Sequence, residues 1–118
     1  MTRKFLTVLL LLFFASSTFA RTDKIGDVKP LRVLIADDNR WGGCMVLLDK
    51  SISATGLDCP SSWVSFSCTG DFNSQQVAGN MLDSAKMALA LDIRLWLQIT
   101  DEEKHNGACV AKRVDVYR

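Results

Sequence analysis

One histidine in 118 residues, His105, and no Cys-x-x-Cys pair among four cysteines leave no ligand set with zinc-site spacing. The acidic run Asp101-Glu102-Glu103 lacks the Asp-x-Asp-x-Asp-Gly order of a calcium loop. No metal and no cofactor are therefore expected. Charge of one sign is also missing: 14 Lys and Arg stand against 13 Asp and Glu. Such a balance offers no electrostatic reason for nucleic acid or an anionic membrane to be the partner. Nor is there an apolar run of the roughly 20 residues that a helix needs to span hydrocarbon. The longest, Phe5 to Ala15, has 11 residues. No cysteine follows that run at the cleavage site, so a lipid-modified N-terminus is not indicated.

What surrounds the short run gives it a meaning. Arg3 and Lys4 precede it, and Ser16-Ser17-Thr18-Phe19-Ala20 follows, with small residues at Thr18 and Ala20 where signal peptidase accepts only small side chains. Charge, apolar core and small-residue exit in this order predict a secretion signal over residues 1–20, cleaved after Ala20. Cleavage leaves 98 residues (118 less 20) with a net charge of −1, since two of the 14 basic residues leave with the signal. That length suits one domain with a modest core. The expected location is secreted or periplasmic, with no membrane contact in the mature form.

Cys44, Cys59, Cys68 and Cys109 all lie in the mature part. An even number of cysteines in a short exported chain predicts two disulfides, with three connectivities open to four cysteines.

Residues 21–30 are polar and read as an N-terminal extension, although Ile25 to Val28 could lengthen the first strand. The domain proper is expected over 31–118. Leu31 to Asp37 is β-branched and aliphatic and predicts strand one. Asp38 to Gly43 carries turn residues, Cys44 to Asp49 is strand two, and Ser51 to Ser62 is a longer loop. Trp63 to Cys68 alternates as strand three, with Val64, Phe66 and Cys68 facing in and Ser65 and Ser67 facing out. The period then changes to three to four residues. Asn73 with Gln76 resembles a capping box, and Val77, Met81, Ala85, Ala88 and Leu89 mark the buried stripe of a helix ending near Leu91. Ile93 to Thr100 is strand four, Asp101 to Ala108 a polar hairpin loop, and Cys109 to Tyr117 strand five.

The order β-β-β-α-β-β, mostly β with one helix, matches a five-stranded OB-like small barrel. An open antiparallel sheet with the helix on one face is the alternative. In the barrel, strands two and three are antiparallel neighbours and strands three and five run parallel. That topology brings Cys44 to Cys68 and Cys59 to Cys109.

Leu31-Arg32-Val33-Leu34-Ile35-Ala36-Asp37-Asp38-Asn39 imitates the opening strand of a phospho-receiver domain. A receiver, however, alternates strands and helices throughout and needs an acid ending a later strand; the acid at comparable spacing here, Asp83, falls within the only helix. His105 stands beside acids, an arrangement compatible with general acid/base work. No nucleophile adjoins it in sequence, and Asn106-Gly107 is a hairpin-turn pair that predicts an exposed turn histidine. No catalytic residue is assigned. Three tryptophans are more informative: Trp41 in a turn, Trp63 on the Ser65 face, and Trp96 on the polar face of strand four. Exposed indoles commonly meet sugar rings or protein partners. Trp41, Trp63, Ser65, Trp96, His105 and Asn106 are the candidate ligand or partner contacts.

The stretch from Trp63 to Ile99, a Cys-bearing strand, the helix Met81-Leu82-Asp83-Ser84-Ala85-Lys86-Met87-Ala88 and the alternating Ile93-Arg94-Leu95-Trp96-Leu97, resembles the B subunits of AB5 toxins of the subtilase-cytotoxin type. Asp101 to Cys109 together with Arg113 to Val116 also resembles small exported Gram-negative proteins of no assigned function. The toxin resemblance implies an OB barrel, a homo-oligomeric ring and glycan binding. A non-catalytic exported protein that binds a glycan or a protein is thus the expectation, and a periplasmic inhibitor or immunity protein against a hydrolase is the alternative.

Overall fold

The computed structural model describes residues 21–118, so the expected signal over 1–20 lies outside the described residues. Six strands and one long helix follow in the order β1 (Thr22–Val28), β2 (Pro30–Ile35), β3 (Cys44–Leu48), β4 (Trp63–Ser65), α1 (Gln75–Leu91), β5 (Arg94–His105) and β6 (Ala108–Tyr117), with a 3-10 turn at Ile52–Thr55. They form one mixed sheet of spatial order β1-β5-β6-β4-β3-β2. The two edge strands are consecutive in the chain, with Lys29 alone between them. The sheet therefore curls until the chain joins its own edges, while the ladder stays open between β1 and β2. This is the expected β-rich domain with a single helix among the described residues; its sheet has six strands rather than five and is not closed into a barrel. β3 and β4 are antiparallel, and β4 and β6 run parallel through Ser65 and Val110.

Residues 21–30 are not an extension. Thr22 to Val28 pairs with β5 and forms an edge strand of the sheet, with Ile25 and Val28 in the core. Polar residues alternate with these because only one face is covered. The split comes at Lys29-Pro30, where proline removes a ladder donor. Asp49 holds the corner: its carboxylate accepts from the Lys29 amide at 2.9 Å, and its own amide donates to the Lys29 carbonyl at 3.0 Å.

The helix begins one residue later than the Asn73 cap predicts. Ser74 is the cap and accepts from the Val77 amide at 3.2 Å. Asn73 has another task, donating its side-chain amide to the carbonyls of Phe66 at 2.8 Å and Ala111 at 2.9 Å, which fastens the exit of β4 to β6. The buried helix face is Ala78, Met81, Leu82, Ala85 and Ala88; Val77 and Leu89 are exposed at its rim. Three of the five buried positions are alanines, whose small side chains let a helix pack closely on a sheet.

Both disulfides join the pairs that the barrel topology predicts, Cys44 to Cys68 and Cys59 to Cys109. The hairpin between β5 and β6 is tighter than the eight-residue loop expected. His105 pairs directly with Ala108, and only Asn106 and Gly107, at φ 49° and 85°, make the turn. A two-residue turn of this hand needs positive φ at both positions, which Asn-Gly supplies. The acidic residues 101–103 instead bulge out of β5 between the Thr100–Val110 and Lys104–Cys109 pairs.

Candidate functional site

An open cleft of about 370 Å³ lies over β3 and β4, between the β2–β3 loop and the β5–β6 turn. Met45 of β3, Trp63 of β4 and Leu34 of β2 line it. Trp41 forms one wall, Pro60 and Ser61 another, and Asn106 to Ala108 the third. None of these side chains carries a charge. Arg32 adjoins one of its indoles, the guanidinium carbon lying 5.9 Å from the centre of the Trp63 ring. The arrangement offers two indoles, an apolar lining and the amide and hydroxyl of Asn106 and Ser61. Its chemistry is that of a flat, uncharged ligand with one apolar face and polar edges.

The walls are fixed covalently. Cys59–Cys109 ties the segment carrying Pro60 and Ser61 to the strand that follows Asn106 and Gly107. Cys44–Cys68 anchors the end of the Trp41 loop. Walls held in advance lower the ordering cost of binding.

Ser65 and Ser67 do not face solvent as the strand alternation predicts; both are fully buried. The β2–β3 loop folds back over the outer side of β4, so both faces of that short strand are covered. Gly42 and Gly43, at φ 74° and 82°, allow the fold-back. The Ser65 hydroxyl donates to the Trp41 carbonyl at 2.8 Å and accepts from the Ser67 amide at 3.1 Å. It therefore fixes the Trp41 loop from below rather than meeting a ligand.

His105 is buried, not an exposed turn residue, and its Nε2 lies 2.9 Å from the Ser67 hydroxyl. That hydroxyl also accepts from the Phe72 amide at 3.0 Å. The Phe72 ring centre stands 4.8 Å from the imidazole. A serine beside a histidine has the elements of a nucleophile and base. Here the Ser67 hydroxyl is sealed at 0 % exposure and no carboxylate orients the imidazole among the described residues. What the pair does is join the exit of β4 to the tip of β5, directly beneath the cleft.

Trp96 does not line the cleft. It is half-buried on the β1–β5–β6 face, with the Lys24 ammonium 5.7 Å and the Arg113 guanidinium 5.1 Å from its ring centre. Gly26 packs against its edge, so the indole is covered by its own chain. Of the six candidates, the structure brings Trp41, Trp63 and Asn106 together in the cleft; Ser65 and His105 lie beneath it and Trp96 lies apart. Leu34, Met45, Pro60 and Ser61, which also line the cleft, do not stand out in the sequence, because apolar and small residues in strands and loops read as core and connection. No group of three or more His, Cys, Asp or Glu could hold a metal among the described residues. No helix there is long and apolar enough to cross a membrane.

No protein-family model, curated protein or solved structure matches the chain.

Proposed function

We propose that the chain is exported, loses residues 1–20, and serves outside the reducing cytoplasm as a non-catalytic binding protein whose Trp41–Trp63 cleft takes a neutral glycan. The observation that carries this reading is the convergence of two indoles on one uncharged cleft whose walls are joined by disulfides. A pyranose presents an apolar C–H face to an indole and hydroxyls to groups such as Asn106 and Ser61. The cleft also occupies the place where OB barrels generally take oligosaccharides and oligonucleotides, over the second and third strands and between the flanking loops. Its lack of charge favours the former. The resemblance to toxin B subunits points the same way.

Binding to a broad glycan array, followed by titration of the best ligand, tests the proposal. Trp41→Ala and Trp63→Ala should each weaken binding about tenfold or more, the equivalent of about 1.4 kcal/mol. Trp96→Ala should leave it unchanged. Silence of the wild-type protein across the array removes the glycan reading. The inhibitor reading uses the same apolar cleft for a side chain of a hydrolase. Asp101 and Glu103, the acids that could cap a basic enzyme groove, are engaged within the chain by Arg21, Asp58 and Lys112. Stoichiometric retention of one hydrolase from periplasm would favour that reading instead.

A further inference from the structure

The first described residue is held more closely than its position requires. The Arg21 amide donates to Asp101 Oδ1, and the Arg21 carbonyl accepts from the Asp101 amide at 3.0 Å and from Thr100 Oγ1 at 3.3 Å. The Arg21 guanidinium donates to the Gly56 carbonyl. The second carboxylate oxygen of Asp101 accepts from the Asp58 amide at 3.0 Å, beside the Cys59–Cys109 bridge. Asp101 lies in the bulge of the β5–β6 ladder between Thr100 and Lys104.

The geometry points to a seat for the mature N-terminus: hydrolysis of the Ala20–Arg21 bond creates an α-ammonium on Arg21 that ion-pairs with the Asp101 carboxylate and locks β1 to β5 and to the Gly56–Cys59 loop. The inference rests on the cleavage position in the proposed function. Hydrolysis adds water across the bond, leaving a carboxylate on Ala20 and an ammonium on Arg21. Before cleavage the nitrogen is a neutral amide with one hydrogen; afterwards it is a cation with three. A charge-assisted bond is roughly twice as strong as a neutral one. The charged groups around the seat are the Arg21 guanidinium, Lys104 paired with Asp58 at 2.7 Å, and the neighbouring Glu102. Asp101 is thus the carboxylate placed to receive the new charge. Processing then completes the fold that it releases.

The full-length precursor, exported and purified after processing, supplies the test. Intact mass should show a chain beginning at Arg21. A second precursor carries one alanine inserted between Ala20 and Arg21, so that cleavage after Ala20 leaves the charge one residue away. Its Tm should fall by about 4 °C or more. In an Asp101→Asn background the same insertion should change nothing. The Arg21 α-amine of the wild-type protein should titrate above the ordinary value of about 8. Stability from the pair is then full below that value and lost as pH rises through the folded one. A mass that begins elsewhere overturns the processing position and the seat with it. A chain that begins at Arg21 but loses no Tm on insertion, or loses the same amount in the Asp101→Asn background, overturns the seat alone. Should Asp101→Asn fail to fold, the α-amine titration decides: an ordinary value overturns the proposal.

Discussion

Gly42 and Gly107 both adopt positive φ, at 74° and 85°, yet they answer to different constraints. A Cβ on Gly42 would stand 2.5 Å from His105 Cδ2 and 2.6 Å from Ser65 Oγ, whereas one on Gly107 would meet nothing within 4 Å. Backbone strain alone costs a non-glycine residue about 1–2 kcal/mol in this region. Gly107→Ala should lose about that much. Gly42→Ala must also push aside the imidazole and the serine that support Trp41, adding about 1–3 kcal/mol of overpacking. Chemical denaturation should show the larger loss for Gly42→Ala, with an unchanged m-value in both variants. Ligand binding should weaken beyond the stability loss for Gly42→Ala, whose added methyl disturbs the layer that supports Trp41. Equal losses would mean that the loop yields without disturbing the layer beneath the cleft.

At the scale of elements, the acidic bulge of β5 does more than present charge to water. Amide donation from Arg21, and next from Asp58, holds the Asp101 carboxyl below its ordinary value of 3.8. A depressed folded pKa contributes stability above the unfolded value and surrenders it as pH falls through the folded one. Wild-type protein should therefore exceed Asp101→Asn in stability at about pH 5 to 7, and the two curves should converge as pH drops below 3.8 and through the folded value. Parallel curves across that range would remove Asp101 as a pH-dependent fastening. The site is largely exposed to solvent, so the gap should be modest and shrink with salt. None of this was legible from Asp101-Glu102-Glu103, because a bulge is decided by the register of two distant strands and not by its own residues. The same limit applies to β4: alternation set Val64 and Phe66 inward correctly, but it could not show that the Trp41 loop roofs the other face. Small hydroxyls at Ser65 and Ser67, rather than Lys or Glu, and the Gly42-Gly43 pair were the available hints. Periodicity succeeded where one element sufficed, in placing Met81, Ala85 and Ala88 on the buried side of α1 and in identifying Asn106-Gly107 as a turn. Trp41, Trp63 and Asn106 were legible as two tryptophans and a turn asparagine; Leu34, Met45, Pro60 and Ser61, which line the cleft with them, were not.

For the whole molecule, the disulfides act on a domain whose sheet stays open between edge strands joined by Lys29 and whose helix packs against β2, β3 and β6. They enclose sequence separations of 24 and 50 residues. By loop entropy, restricting the unfolded chain over such spans contributes about 3.4 and about 4.1 kcal/mol. A domain of this size commonly has about 5–15 kcal/mol of net stability. Loss of both bridges should therefore leave it near or below its unfolding midpoint at about 37 °C. Reduction with a strong thiol at neutral pH should collapse the unfolding transition. The double variant Cys59→Ala/Cys109→Ala should fall further in Tm than Cys44→Ala/Cys68→Ala, since it frees the longer span. The first pair should also lose more ligand affinity, because it alone connects Pro60 and Ser61 with the turn at Asn106 and Gly107. If reduced protein kept its Tm and its affinity, the sulfurs would be incidental to the fold and the oxidising compartment would lose its physical basis. If instead folding fails in reducing conditions, export becomes a condition of forming the cleft at all: the bridges that shape it, and the terminus proposed to lock β1, would arise on the same side of the membrane.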